Sequence, residues 1–312
     1  MKFESLFLGF YMMLSRIFFF VFKMVLVVVC SLLFSAQVQS AENHLSDLWE
    51  LLKAKEYKEP SNDEMKWATQ LFHQAMDKNS QSINNKAAIA SDLFIEELVD
   101  GTLSKLLIIR ETAQKLNGRG LFVMRPDGNG ILLQAPHGYM DVYTGKLVSQ
   151  MMQEQNYSAL SVNSVPRRYK KNKKWVNADM AHLTSTYFYL WSQIFAEKFP
   201  SGQIIQLHGF NNKNRSTTKN VDMILSNGTQ FVDVPLLKQA QCLKNWLGES
   251  RVLVYPREIK ILGATSNSIG SLLRDKKFTD FKHYEMSLDL RKRLVNESES
   301  RKILTNCITM SA

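Results

Sequence analysis

The sequence predicts an α/β fold: a mixed, mostly parallel sheet with helices on both faces, preceded by an N-terminal helical extension. Two observations carry this. From residue 118 onward, apolar runs of strand length alternate with amphipathic runs of helical length, the pattern of a sheet covered on both sides. Before residue 118 the apolar spacing reads as helical. A third observation sets the N-terminus apart: "IFFFVFKMVLVVVCSLLFSA" is almost wholly apolar.

Residues 1–40 have the layout of a secretory signal peptide, with Arg16 and Lys23 as a basic front and "SAQVQS" as a small, polar end. Cleavage is expected after Ser40. An uncleaved anchor is the alternative, because about 20 apolar residues can span a bilayer. The expectation is a periplasmic or secreted protein with no stable membrane insertion after cleavage. With Cys30 in that segment, Cys242 and Cys307 remain. In an oxidising compartment they can pair or stay as separate thiols.

Residues 41–117 form the expected helical extension. "SNDEMKWATQLFHQAMDK" opens with a capping box, Ser61 to Glu64, and places Met65, Ala68, Phe72 and Met76 at helical spacing. "AAIASDLFIEELVDGTLSKLLIIRETAQKL" continues it, with Gly101 as a break. Residues 118–312 form the α/β domain. There "RGLFVMRPDGNGILLQAPH" reads as two strands joined in a hairpin at Pro126-Asp127-Gly128. "GKLVSQMMQEQN" is a helix and "ALSVNSV" a strand. In "ADMAHLTSTYFYLWSQIFAEKF" a helix is expected, with Asp179 as its N-cap. Strands "GQIIQLHGF", "VDMILSNG", "RVLVYP" and "FKHYEMS" follow, with helices "PLLKQAQCLKNWL" and "LDLRKRLV".

Apolar residues make up 45% of the chain and charged residues 22%, a balance that supports a packed core and argues against global disorder. The net charge is +10, and +8 without residues 1–40, which hold three basic residues and one acidic. For an exported chain this favours carboxylate-bearing peptides, acidic cell-wall polymers or anionic membrane surfaces over nucleic acid. The densest basic run, "RRYKKNKK" at 167–174, reads as a solvated loop.

The histidines carry the chemistry. Of six, four lie in the α/β part: His137, His182, His208 and His283. Two of these end apolar strand-like runs, "ILLQAPH" and "IIQLH". In open α/β sheets ligands bind beyond the carboxyl ends of the strands, so His137 and His208 can meet at one sheet edge. Asp141 follows His137 by four residues and can reach the same point. Two imidazoles and a carboxylate are a catalytic zinc set that leaves one position open. Such a site also needs a carboxylate off the metal to move protons, and Glu285 in "FKHYEMS" offers one. His283 shares strand parity with Glu285 and can line the site, and His182 can serve as a spare ligand or a substrate contact. There is no GxSxG elbow, P-loop, GxGxxG or HExxH.

In chain order, "QAPHGYMDVYTGKL", "NSVPRR", "LHGF" and "HYEMSLDLR" resemble the zinc amidohydrolase and carboxypeptidase-like superfamily, nearest its N-formylglutamate amidohydrolase and poly-γ-glutamate hydrolase branches. The resemblance covers roughly residues 130–293. It implies a phosphorylase/hydrolase-like sheet and one zinc ion held by His137, Asp141 and His208. It also implies Glu285 as acid/base, and a substrate carboxylate bound by Arg167 or Arg168 with Asn163. Asp141 departs from the carboxypeptidase pattern, which has Glu three residues on. The function expected is an exported zinc hydrolase of an amide or peptide bond next to a carboxylate, acting on an acidic peptide or cell-wall-derived substrate. The alternatives are a non-catalytic envelope binding protein with the same fold and a membrane-anchored structural protein.

Overall fold

A nine-stranded sheet organises the chain. The structure is a computed structural model that describes residues 44–77, 85–99, 105–212, 216–278 and 280–310. The signal peptide expected at 1–40 and the break expected at Gly101 lie outside these residues.

The strands are β1 (Phe94–Val99), β2 (Lys105–Arg110), β3 (Leu121–Met124), β4 (Ile131–Ala135), β5 (Ala159–Val162), β6 (Arg168–Lys171), β7 (Lys174–Asn177), β8 (Gln203–Gly209), β9 (Met223–Ser226), β10 (Val252–Val254) and β11 (Phe281–Met286). The helices are α1 (His44–Leu51), α2 (Asn62–Ala75), α3 (Asn85–Ala90), α4 (Thr144–Glu154), α5 (Tyr187–Lys198), α6 (Val234–Leu247), α7 (Ser268–Asp275), α8 (Leu288–Asn296) and α9 (Ser298–Thr309). The sheet order is β1-β2-β3-β5-β4-β8-β11-β9-β10, and β6 and β7 pair separately. Strands β5, β4, β8 and β11 run parallel in the centre. Antiparallel ladders β1–β2, β2–β3 and β3–β5 extend one side, and β9 pairs antiparallel to β11 on the other.

Side chains alternate across each strand, so every strand feeds two cores. On one face Leu133, Leu160, Leu207 and Tyr284 pack with α4, α6, α8 and α9 through Val148, Leu243, Leu290 and Leu304. On the other face Leu132, Ile204 and Phe281 pack with α2, α5 and α7 through Phe72, Trp191 and Ile269. The rings of Phe72 and Trp191 meet edge-on, centroids 4.8 Å apart, a geometry that adds about 1 kcal/mol beyond area burial. The expected cover of helices on both faces is therefore present.

Three expectations need correction. The helical reading of 41–117 holds for α1, α2 and α3, and Ser61 and Glu64 do form the capping box. It fails for β1 and β2, which add an antiparallel pair of strands to the sheet edge. Leu106, Leu107, Ile108 and Ile109 are all buried. A surface helix would leave one of four consecutive residues exposed, whereas a strand covered on both faces buries every one. Second, β3 and β4 are not a hairpin, because β5 lies between them. The turn that joins them crosses over the start of β5: Arg125 N–H donates to Ser158 O (2.7 Å), and a Cβ on Gly128 would lie 2.3 Å from Ser158 Cα. Third, the basic run is a hairpin, not a loop. Asn172 and Lys173 both adopt positive φ, +50° and +64°, between the paired Lys171 and Lys174, as a two-residue hairpin turn requires.

Cys242 on α6 and Cys307 on α9 form a disulfide, with Cα atoms 5.5 Å apart. No helix among the described residues is long and apolar enough to cross a membrane.

Candidate functional site

Because β4, β8 and β11 are parallel neighbours, their C-terminal ends share one edge. The register pairs Gln134 with Gln206, Gln206 with His283, and His208 with Glu285. All five side chains belong to the face that carries Leu132 and Ile204.

That face is polar towards the edge, and its polar atoms are bonded in sequence. Gln134 Nε2 donates to Ser161 Oγ (2.9 Å) and Ser192 Oγ (2.8 Å). Gln206 Nε2 donates to Gln134 Oε1 (3.0 Å), and Gln206 Oε1 accepts from Asn267 Nδ2 (2.7 Å). Asn267 in turn caps α7 through the N–H groups of Ile269 and Gly270. A buried amide left unbonded would cost about 1–3 kcal/mol, so this network holds Gln206 in one orientation. Gln206 Oε1 then stands 3.4 Å from His208 Nε2.

His137 is placed by the turn that ends β4. Gly138 N–H donates to Ala135 O (3.1 Å), and Asp141 N–H donates to His137 O (2.8 Å). This single helical turn brings Asp141 back beside His137. Asp141 Oδ2 also accepts from Gly209 N–H at the end of β8 (3.0 Å), which ties the two strand ends together. Asp179 Oδ1 meets His137 Nε2 at 2.8 Å.

The outcome is a tight group. His137 Nδ1 lies 3.1 Å from His208 Nδ1, and Asp141 Oδ2 lies 3.4 Å from the first and 3.7 Å from the second. Asp179 and Gln206 accept at the two Nε2 atoms, which turns both Nδ1 lone pairs and a carboxylate oxygen towards one point. Without a shared proton or cation these groups repel. A tetrahedral ion with N and O ligands separates its ligand atoms by roughly 3.3 Å, so this donor set fits one. His208, His283 and Glu285 also bring ligand atoms within 4.8 Å of one another, so His208 belongs to two groupings.

The charges are set by surroundings. Burial pushes His208 well below the ordinary histidine range, and the neighbouring His283, His137 and Arg167 add to this. Burial likewise lowers His283 to about 3. Both are neutral, as metal ligands must be. Burial opposes charge on His137 too, but the bonds to Asp141 and Asp179 prevail and lift it to about 9, so a cation that binds at its Nδ1 must displace a proton there. Burial acts to raise Asp179, yet its bond to His137 holds it below the usual carboxylate range.

Glu285 lines a cavity of about 410 Å³ together with His137, Asp141, Arg167 and Arg291. A second cavity of about 200 Å³ adjoins it and shares His137, Arg167 and Glu285; His182, His208 and His283 line it as well.

No family model and no curated protein matches the chain. Solved structures do. They include the N-formylglutamate amidohydrolase of Ralstonia eutropha JMP134 (TM-score 0.35, 11% identity), over 58% of this chain and 92% of that one. A bacteriophage poly-gamma-glutamate hydrolase matches with TM-score 0.38 and 11% identity, over 64% and 90%. Bovine thrombin-activatable fibrinolysis inhibitor, in complex with tick carboxypeptidase inhibitor, matches with TM-score 0.39 and 8% identity, over 69% and 90%. At such scores the likeness carries no argument.

Of the residues singled out in the sequence, the structure brings together His137, Asp141, His208, His283, Glu285 and Arg167, with His182 at the rim of the second cavity. It does not bring Asn163 or Arg168 to either cavity. Asn163 is buried, and its amide donates to Pro136 O (2.8 Å) and Val165 O (2.9 Å). It braces the residue before His137 instead of facing a ligand. Arg168 lies on the exposed β6 hairpin beside Trp175. Asp179 does not cap α5; Thr186 does, accepting from Tyr189 N–H. Sequence reasoning missed Asp179 as a site residue because its capping reading was equally natural. It also missed Gln206, although "ILLQ" and "IIQL" both carry a Gln inside an apolar strand, an expensive position without a partner.

Proposed function

We propose that the protein is an exported, zinc-dependent hydrolase of an amide or peptide bond that lies next to a carboxylate. The observation that carries this is the convergence of His137 Nδ1, His208 Nδ1 and Asp141 Oδ2 within 3.1–3.7 Å, on a cavity that Glu285 also lines. His137, Asp141 and His208 would hold the ion, which when bound supplies Lewis acidity towards a carbonyl and lowers the pKa of water. Asp179 orients His137, and Gln206 orients His208.

Glu285 takes the proton of the attacking water and delivers it to the leaving amine. Arg167, which lines both cavities, binds the substrate carboxylate with its planar guanidinium. His182 and His283 contact the substrate in the second cavity. An acidic peptide or a fragment of an acidic cell-wall polymer suits the net charge, and nucleic acid does not fit an exported site of this kind. The Cys242–Cys307 disulfide supports an oxidising, periplasmic or extracellular compartment.

The test has two parts. Metal analysis of the purified protein should give one zinc per chain, and His137→Ala with His208→Ala should remove it while the circular dichroism stays native. Chelator-sensitive release of new amines from cell-wall or polyglutamate preparations should then accompany the metal. Absence of zinc from the native protein, or full zinc in the double variant, refutes the metal reading.

A further inference from the structure

We propose that the outer face of the β6–β7 hairpin binds a carboxylate-bearing polymer and leads it to the cleft at Arg167. That this polymer is the substrate rests on the hydrolase reading; that the hairpin binds it does not.

Residues 167–177 hold six cations, Arg167, Arg168, Lys170, Lys171, Lys173 and Lys174, and no acid. Of these, Lys171 has an acidic partner, Glu56 at 2.6 Å. No ion pair of this kind is found for Arg168, Lys170, Lys173 or Lys174 among the described residues. The hairpin is nevertheless not a floppy charged tip. Tyr169 Oη accepts from Tyr57 N–H (2.9 Å) and donates to Tyr57 O (3.1 Å), and Ala178 N–H donates to Arg167 O (2.9 Å) at its base. Tyr169 and Val176 are directly paired and so share the inner face.

The opposite, outer face carries two of the remaining pairs, while Lys171 and Lys174 share the parity of Tyr169 and Val176. Arg168 faces Asn177, and Lys170 faces Trp175. Trp175 is 63% exposed, so it contributes little to the fold. Its ring instead lies 5.1 Å from Lys170 Nζ and 5.8 Å from Arg168 Cζ, cation–π distances that hold both charges over an open aromatic face. Such a surface offers cations to carboxylates and a flat apolar plane to the backbone or methylenes between them. It is also continuous with the cleft. Arg167 directly precedes Arg168, lines both cavities, and brings Nη1 to 3.4 Å from His137 Nδ1. At about 3.3 Å per strand residue, the path from Lys170 to Arg167 spans roughly 10 Å. A single exposed Trp among cations is too little apolar surface for stable membrane insertion, so the face suits a soluble polyanion better than a bilayer.

The experiment titrates the full-length protein into fluorescent poly-L-glutamate and reads anisotropy across a range of salt. Arg168→Ala with Lys170→Ala and Lys173→Ala should weaken binding roughly tenfold and flatten the salt dependence. Trp175→Ala should weaken it by a factor that salt does not change. A control triple on distant exposed lysines, Lys238→Ala with Lys292→Ala and Lys302→Ala, should stay within twofold of wild type. His137→Ala with His208→Ala should bind as wild type does, so that loss of metal and loss of polymer binding are read separately. No binding of poly-L-glutamate, an equal loss in the control triple, or tighter binding to phosphatidylglycerol vesicles or duplex DNA overturns the proposal.

Discussion

His137 Nε2 and Asp179 Oδ1 stand 2.8 Å apart, and this bond joins the end of β4 to the loop before α5. It fixes which imidazole nitrogen faces Asp141 and His208. A carboxylate in this position orients the ring and strengthens its other nitrogen as a ligand. Asp179→Asn should therefore leave the fold intact and weaken zinc binding roughly 10- to 100-fold. Competition with a chromogenic chelator measures this. A variant that binds as tightly as wild type would show that Asp179 only closes its own turn, where its Oδ1 accepts from Ala181 N–H (3.1 Å).

Glu285 allows a different separation. It lies beside His208 in register and lines the same cavity, yet it is not needed for the group formed by His137, Asp141 and His208. Glu285→Gln keeps shape and removes the proton acceptor. Zinc content should be unchanged, while hydrolysis of an identified substrate should fall about 10²- to 10⁴-fold. Loss of zinc in this variant would instead place Glu285 among the ligands, in the second grouping with His208 and His283.

The parts of the molecule that were legible in the sequence are those governed by local pattern. His137 and His208 stand out because each ends an apolar strand, and parallel strands bring such ends together whatever the chain separation. Asp141 was legible because four residues are one helical turn. Residues whose partner lies elsewhere in space were not. Asp179 reaches His137 across 42 residues, and its spacing to α5 imitates a cap. Asn163 reads as a site residue next to "PRR", but its amide is taken by two backbone carbonyls. β2 looked helical because its four consecutive buried residues show no alternation, and only its neighbours in the sheet reveal the period.

The disulfide joins α6 and α9 and closes a segment in which Cys242 and Cys307 are 65 residues apart. Chain-entropy reasoning assigns such a loop a stabilisation of about 4 kcal/mol. Cys242→Ser with Cys307→Ser should lower stability by that amount in urea unfolding. A reducing agent should do the same to wild type and nothing to the variant. Equal midpoints for wild type and variant under oxidising conditions would contradict the linkage.

Glu111 gives the molecule a pH dependence distant from the site. Its side chain is wholly buried, with Oε1 accepting from Asn117 N–H (2.6 Å) and Oε2 from Arg119 N–H (2.9 Å). Burial raises its pKa to about 7, against those bonds and the Arg119 charge, which pull it down. The folded state thus holds this proton more tightly than the unfolded chain, whose pKa is near 4.5. Between those two values the folded state carries more protons, so stability falls as pH rises from about 4.5 to about 7. Below that window both states are protonated and the penalty is absent; above it both are ionised and the penalty is complete. Glu111→Gln cannot ionise. The stability difference between wild type and this variant should therefore shift against wild type by about 3 kcal/mol across the window. Urea midpoints at several pH values measure it, and parallel curves for the two proteins would show that Glu111 keeps an ordinary carboxylate pKa in the fold.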